Sequence, residues 1–294
     1  MSVENNLESI VAHIGDLPAI PKIVAQVMEL TEKPGVPVSE VSALIEGDIG
    51  LAARLLKVSN SSYYGMRESI GTLKLALVIL GIKEVRNIVV GISVMDTLND
   101  KTTDFLLQQE GLWDHSTKVA SLSKKLGLHM ELNLQGEDFI AGLLHDIGKL
   151  VLWKQIPEEY EDIYHAAKER GVPLYELEYE ELGFDHADVA GVLAHKWSLP
   201  ESLVHALQAH HPRADRPIAD MKDPSLCAIV RIANRAAREN FFAEDADSGD
   251  FLSCTDEEAW AILYDSFPTE TTQERFDLLY QYSVDIEGTT SLTF

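Results

Sequence analysis

The stretch "AGLLHDIGKLVLW", residues 141–153, sets three polar residues, His145, Asp146 and Lys149, in an otherwise apolar, helix-like segment. Burying a charged group without a partner is costly, so such groups are normally paired or coordinated inside a protein. The stretch therefore predicts that these side chains meet polar partners from other parts of the chain.

Outside this stretch, apolar residues recur at helical spacing along most of the chain, as at Ile23, Val27 and Leu30, whereas strict alternation is rare. This pattern predicts an all-α fold. Ser39 is predicted to cap one helix, and Gly47 is predicted to separate that helix from the next.

The predicted organisation has three parts: an N-terminal helical bundle over residues 1–100, a helical core with the histidines over 101–240, and acidic helices over 241–294. The first boundary is placed in the polar segment "DTLNDKTTD", residues 96–104. Residues 240–294 contain 13 acidic residues and one basic residue, which is half of the net charge of −24. That charge serves either docking to a basic partner or solubility.

The net charge of −24 opposes binding to nucleic acid or to anionic lipid, so neither is predicted as a partner. The N-terminus has no signal-peptide pattern and no apolar run is long enough to span a bilayer. We therefore expect a cytoplasmic protein. Cys227 and Cys254 have no metal-binding spacing.

Five histidines lie in four separate apolar segments with gaps of 30, 41 and 24 residues: His115, His145, His186 and the pair His210–His211. Imidazole and carboxylate groups suit a divalent transition ion, and several helices can each supply one or two inward ligands. Adjacent pairs suit two ions, because neighbouring helical residues point about 100° apart. The pattern favours a metal site or another shared polar site that includes Asp146.

The motifs "WDHS" and "HDIGK" resemble the HD superfamily of metal-dependent phosphohydrolases. Several other stretches resemble the HDOD domain, an HD-related output domain of bacterial signalling proteins: "LPAIPKIVAQVMEL", "GDIGLAARLLKVSNSSYYG", "LKLALVILGIKEVRNIVV" and "GFDHADVAGVLAHKWSLPESLVHALQAHH". The resemblance implies an N-terminal helical bundle packed on an HD-like helical core. It also implies a regulatory function, because a catalytic role is unproven or absent in many members.

The related HD-GYP phosphodiesterases use a corresponding set of residues around two or more iron-like ions. By motif, the matching residues are His115, His145, Asp146, Lys149, His186, His210 and His211. Asn234 stands where that family has an Asp, and "HHPRADRP" lacks its Gly-Tyr-Pro motif. Asn is a neutral, weaker ligand than Asp, so we expect one metal position to be depleted or the site to bind without turnover. Asn234 is a further metal-ligand candidate, with Asp114 and Asp185 as alternatives.

The predicted cofactor is one or two divalent transition ions, with Fe first and Mn, Zn or Ni as alternatives. The first functional hypothesis is a regulatory protein that acts through a protein partner or by ligand sensing. The alternative is a phosphohydrolase or phosphodiesterase for a phosphorylated small molecule or nucleotide, in which the metal supplies hydroxide and Lys149 and Asp146 are catalytic. The third hypothesis is that these polar residues form a metal-free hydrogen-bond network. The oligomeric state stays open.

Overall fold

The computed structural model describes residues 19–60, 64, 69–98, 111–237, 256–263 and 272–287. Within these ranges every regular element is a helix and no strand occurs, which confirms the predicted all-α fold. In the same part of the chain, no helix combines the length and the apolar character that crossing a membrane requires.

The N-terminal part consists of α1 (Lys22–Thr31), α2 (Val38–Glu46), α3 (Ile49–Ser59), α4 (Leu73–Leu80) and α5 (Ile82–Leu98). These helices enclose an apolar core that includes the buried residues Ile45 and Leu55. The predicted break at Gly47 is confirmed, because Gly47 ends α2 and the Asp48 side chain caps α3. The predicted Ser39 cap is wrong. Pro37, whose ring fixes φ, precedes the first residue of α2, so Ser39 lies inside the first turn.

The following helices build the centre of the fold: α6 (Leu112–His129), α7 (Glu137–Leu144), α8 (Ile147–Gln155), α9 (Pro157–Arg170), α10 (Leu174–Leu182), α11 (His186–Lys196), α12 (Glu201–Gln208) and α13 (Pro224–Ala236). They share a second, larger apolar core, which also contains Val24 of α1 and Val90 and Val94 of α5. The N-terminal helices therefore pack directly against the centre of the fold.

Two acidic helices follow, α14 (Glu257–Leu263) and α15 (Thr272–Glu287), as the sequence predicts. Trp260 and Leu263 of α14 and Leu279 of α15 are buried in the larger core. The polar segment predicted as the first boundary overlaps the end of α5, and residues 99–110 lie outside the described residues. The three-part division stays a prediction.

Glycines allow close helix packing around the stretch that carries His145 and Asp146. A Cβ at Gly148 would lie 1.9 Å from the carbonyl oxygen of His186, and a Cβ at Gly142 would lie 2.7 Å from the Cα of Ala120. Because no side chain fits at either position, only glycine lets α8 approach the start of α11 and lets α7 approach α6. Gly148, the glycine of "HDIGK", is therefore required for the packing of α8 against the start of α11.

Candidate metal centre

The structure brings the predicted ligands together in two overlapping groups. The inner group consists of Asp146, His186, His210 and His211, and the outer group consists of His115, His145 and Asp146. Within each group the candidate ligand atoms lie within 4.8 Å of one another. Asp146 belongs to both groups, which is the arrangement that a carboxylate bridging two ions requires.

The ligands come from helix ends. His145 follows the last residue of α7 and Asp146 precedes the first residue of α8, so residues 141–153 belong to two helices that meet at this pair. His186 is the first residue of α11, and His210 and His211 follow α12 after one residue, Ala209. His115 lies in the first turn of α6. The helix ends therefore determine the positions of the ligands.

The inner group is compact and almost completely buried. Asp146 Oδ1 lies 3.1 Å from His186 Nε2 and 3.5 Å from His210 Nε2. His186 Nε2 also lies 2.9 Å from His211 Nε2 and 3.3 Å from His210 Nε2. Three imidazole nitrogens and one carboxylate oxygen thus converge on one point.

The outer nitrogens of two rings are held by backbone carbonyl groups. His145 Nδ1 donates to Gly142 O at 2.8 Å, and His210 Nδ1 donates to Leu207 O at 2.7 Å. In a neutral ring, this leaves Nε2 as an acceptor directed into the cluster. Burial lowers the pKa of His210 to about 3, so its ring is neutral at pH 7.

Several acceptors consequently face one another inside the protein. His145 Nε2 is buried and makes no hydrogen bond of acceptable geometry, and Asp146 Oδ1 faces His186 Nε2 at 3.1 Å. His210 Nε2 lies near the same carboxylate oxygen without a proton to share at pH 7. A cation between these atoms would satisfy them, so the residues present fit a divalent transition metal.

Glu178 supports the His186 ring from behind. Its Oε2 accepts from His186 Nδ1 at 2.6 Å and from the His186 backbone N–H at 2.8 Å, while its Oε1 accepts from the Tyr160 hydroxyl at 2.5 Å. Burial lowers the pKa of His186, but the Glu178 charge and the hydrogen bonds to Asp146 and Glu178 together outweigh burial and raise the pKa to about 9. Carboxylates in this position orient metal-binding histidines.

The sequence prediction missed Glu178 and Tyr160. Glu178 belongs to an acidic run in α10, but it lies four residues after Leu174 and four before Leu182, on the apolar face of the helix. An acidic residue in an otherwise apolar register was the signal that could have identified Glu178. Tyr160 offered no such signal, because a tyrosine on the apolar face of a helix is common.

The outer group is more open to solvent. Asp146 Oδ2 lies 3.2 Å from His145 Nε2 and 3.9 Å from His115 Nε2, and it accepts from Lys149 Nζ at 2.7 Å. The side chains of His115 and Lys149 are 23% and 21% exposed, whereas that of Asp146 is 2% exposed. A ligand entering the cluster would therefore approach from this side.

Asn234 lies at the edge of the outer group. Its Oδ1 is 2.9 Å from His115 Nε2, so a proton on that nitrogen is donated to the amide oxygen. The two alternative candidates belong to neither group. Asp114 is exposed, and the Asp185 side chain caps α11 and pairs with Arg213 at 3.1 Å.

The fold and the cluster together define a class of protein: a helical domain with a buried histidine–aspartate cluster able to bind metal. More particularly, the chain belongs to the HDOD domain family, whose model matches residues 17–212. The match covers well over half of the chain and confirms the resemblance that the motifs indicated.

A curated relative, an "Uncharacterized protein" of Treponema pallidum (strain Nichols), is 27% identical over 234 residues. The aligned region is 78% of this chain and 44% of the relative, so the chain spans less than half of that protein's length.

Solved structures share the fold. An HDOD domain protein of unknown function from Geobacter sulfurreducens has a TM-score of 0.72 and 20% identity, over 99% of this chain and 100% of that one. A "Putative phosphohydrolase" from Shewanella amazonensis SB2B has a TM-score of 0.68 and 22% identity, over 96% and 98%. A "Putative signal transduction protein" from Marinobacter aquaeolei VT8 has a TM-score of 0.64 and 20% identity, over 97% and 64%.

Proposed function

We propose that this protein is a regulatory HDOD protein whose inner and outer groups bind one or two divalent transition ions, with Fe first and Mn, Zn or Ni as alternatives. The observation that carries the proposal is the set of buried acceptors around Asp146. His145 Nε2 has no hydrogen-bond partner, and Asp146 Oδ1 and the neutral His210 ring are directed at the same point. Each such atom left unpaired would cost about 1–3 kcal/mol.

The protein's own residues prepare the inner group for an ion. Glu178 holds His186 in orientation, and the Leu207 carbonyl holds His210. When bound, the ion supplies a positive charge shared by several helix ends and, in the outer group, a Lewis-acid position open to a ligand. The inner group excludes water, because its residues are almost completely buried.

A regulatory role is favoured over rapid turnover by the composition of the outer group. Asn234 provides a neutral amide beside His115, and amide oxygen is a weaker ligand than carboxylate. Asp146 is the only carboxylate among the three residues of this group, and it is shared with the inner group. In this proposal the occupied cluster transmits a signal through contacts with a protein partner or by binding a phosphorylated ligand.

Elemental analysis of the full chain, purified without a histidine tag, tests the proposal. We expect about one equivalent or more of a transition metal, because a preformed multi-histidine site binds such ions tightly. A His165→Ala variant is a suitable control, since His165 is exposed and lies outside both groups. Less than about a tenth of an equivalent in wild type would contradict metal binding and favour the metal-free network.

A second candidate function, a metal-dependent phosphohydrolase, is favoured by the solvent-open position of Lys149 beside Asp146. In this role Asp146 would hold the ion, and Lys149 would bind the oxygens of a phosphorylated substrate as a point charge. The substrate would enter beside His115 and Lys149, the exposed edge of the cluster.

Asn234→Asp tests this second function. Wild type, Asn234→Asp and Asn234→Ala are loaded with the same metal and assayed with bis-p-nitrophenyl phosphate and a cyclic dinucleotide. A gain of about tenfold or more in Asn234→Asp alone would identify wild type as a weakened enzyme. Equal, negligible rates in all three would reject the hydrolase, and rapid hydrolysis by wild type would contradict the regulatory assignment.

A further inference from the structure

Arg231 of α13 is a charged residue in a completely buried position. Its Nη1 donates to Glu258 Oε2 at 2.8 Å and lies 3.6 Å from Asp256 Oδ2, at the start of α14. A guanidinium group stays protonated in proteins, so its burial requires such compensating charge. The acidic C-terminal segment therefore neutralises a cation inside the core.

The other side of the same guanidinium reaches the backbone beside the candidate metal ligands. Arg231 Nε donates at 2.9 Å to the carbonyl oxygen of Ala209, the residue directly before His210. Arg231 thus connects α14 to the backbone from which His210 and His211 project.

Three successive carbonyl groups at the end of α12 are bound by side chains. Leu207 O accepts from His210 Nδ1 at 2.7 Å, Gln208 O accepts from Arg216 Nη1 at 2.6 Å, and Ala209 O accepts from Arg231 Nε. Cationic donors suit the negative end of a helix. Together these bonds fix the turn that carries the His210–His211 pair.

We propose that Arg231 is a positioning residue for His210 and His211, and that α14 is part of the metal centre through Glu258 and Asp256. This inference rests on the proposed function and deepens it, because it couples the acidic segment to the metal-binding cluster. A partner that draws α14 away from Arg231 would leave the cation uncompensated and loosen the histidine pair. By the reciprocity of coupled equilibria, metal binding would in turn hold α14 in place.

The test compares wild type, Arg231→Met and Glu258→Gln, all as the full chain loaded with Co²⁺. Cobalt affinity is measured by competition with a chelator, and the visible absorption of bound Co²⁺ reports the ligand geometry. We expect Arg231→Met to lower the affinity about tenfold or more and to change the spectrum, as loss of an outer partner of a metal ligand does. Glu258→Gln should produce a smaller change in the same direction.

Two controls separate positioning from general loss of stability. Glu257→Gln removes an acid from the same helix, but Glu257 is 73% exposed and its ion pair is with Arg275. Leu55→Ala weakens the N-terminal core, which lies apart from the cluster. Neither control should change the spectrum of bound Co²⁺.

Hydrogen exchange of the α14 amides supplies a second readout. We expect slower exchange in wild type when Co²⁺ is present, and a smaller difference in Glu258→Gln. Unchanged cobalt affinity and spectrum in Glu258→Gln, together with metal-independent exchange in α14, would overturn the inference. Glu258→Gln decides the outcome if Arg231→Met does not fold. Absence of metal binding by wild type would overturn the proposed function itself.

Discussion

The inner and outer groups share one carboxylate, Asp146, but the protein holds them differently. In the inner group, Glu178 and the Leu207 carbonyl fix two of the rings, and all the ligands are buried. In the outer group, His115 is partly exposed and faces the Asn234 amide. Ligand spacing alone therefore does not describe a metal site. The partners behind each ligand distinguish a fixed site from an open one.

The largest effect is expected from Gly148→Ala, which breaks the inner group through its packing. The new methyl group would overlap the His186 carbonyl, so α8 and α11 would have to separate. We expect a loss of about 3 kcal/mol or more in the free energy of unfolding, measured by urea denaturation. Gly50→Ala is the matched control, since its Cβ would meet no atom closer than 3.5 Å. Equal stability of Gly148→Ala and wild type would contradict the described packing.

Next in size is the expected difference in metal content between His186→Ala and His115→Ala. Because His186 contacts Asp146, His210 and His211, its removal should abolish binding to the inner group. His115→Ala should remove at most the ion bound by the outer group. Metal content after dialysis distinguishes the two results. Similar losses in both variants would show that the groups do not act as separate sites.

Glu178→Gln should have an intermediate effect. The change removes the negative charge behind His186, and loss of such a partner typically lowers metal affinity about ten- to a hundredfold. Glu180→Gln is the matched control, because Glu180 is an exposed acid of the same helix. Chelator competition measures both affinities. Equal affinities would show that Glu178 supports only the fold.

The pH dependence of metal binding distinguishes the contribution of His186 from that of His210. Burial lowers the pKa of His186, but Glu178 and Asp146 together raise it to about 9, so below pH 9 an ion must displace a proton from this ring. Inner-group affinity should therefore rise about tenfold per pH unit from pH 7 to 9. His210, with a pKa lowered by burial to about 3, adds no slope in this range. Calorimetry in two buffers measures the proton release, and its absence would contradict the prediction.

The smallest effect is expected from Lys149→Gln. Lys149 binds Asp146 Oδ2 and repels a second cation at the outer group, so its removal should raise the affinity for that ion a few-fold. The affinity of the inner group should change less. Lys154→Gln, near the other end of α8, serves as the control in the same metal titration. A loss of affinity in Lys149→Gln would indicate that the ammonium group supports the ligand arrangement.

The fold class and the gathering of the histidines followed from simple physical arguments. Helical periodicity predicts helices, and polar groups in apolar segments require partners, so His115 and His186 were expected near Asp146. The break between α7 and α8 was not predicted, because the apolar pattern of residues 141–153 continues through it. Just beyond this break, Gly148 approaches the His186 carbonyl of another helix, a contact that the sequence pattern does not indicate.

The supporting residues were harder to predict because their environment is created by the fold. Glu178 has the same side chain as the exposed Glu176 and Glu180, and only its position on the buried face gives it a role. Arg231 is similar, since its compensating acid lies 27 residues further along the chain. Sequence periodicity identifies a buried face, but it does not identify which distant group neutralises a charge there.

Because the candidate ligands lie at helix ends, a small movement at the cluster can displace residues at the far end of a long helix. His115 lies in the first turn of α6, an 18-residue helix, which at about 1.5 Å per residue is about 27 Å long. A rotation of about one degree at the ligand end would move the far end by about 0.5 Å, from this length. At that far end the ring of His129 contacts the ring of Tyr282 in α15, with centroids 5.9 Å apart. If the outer group binds an ion as proposed, a small rotation of α6 on binding would therefore shift its contact with the acidic helix α15 by a larger distance than it shifts His115.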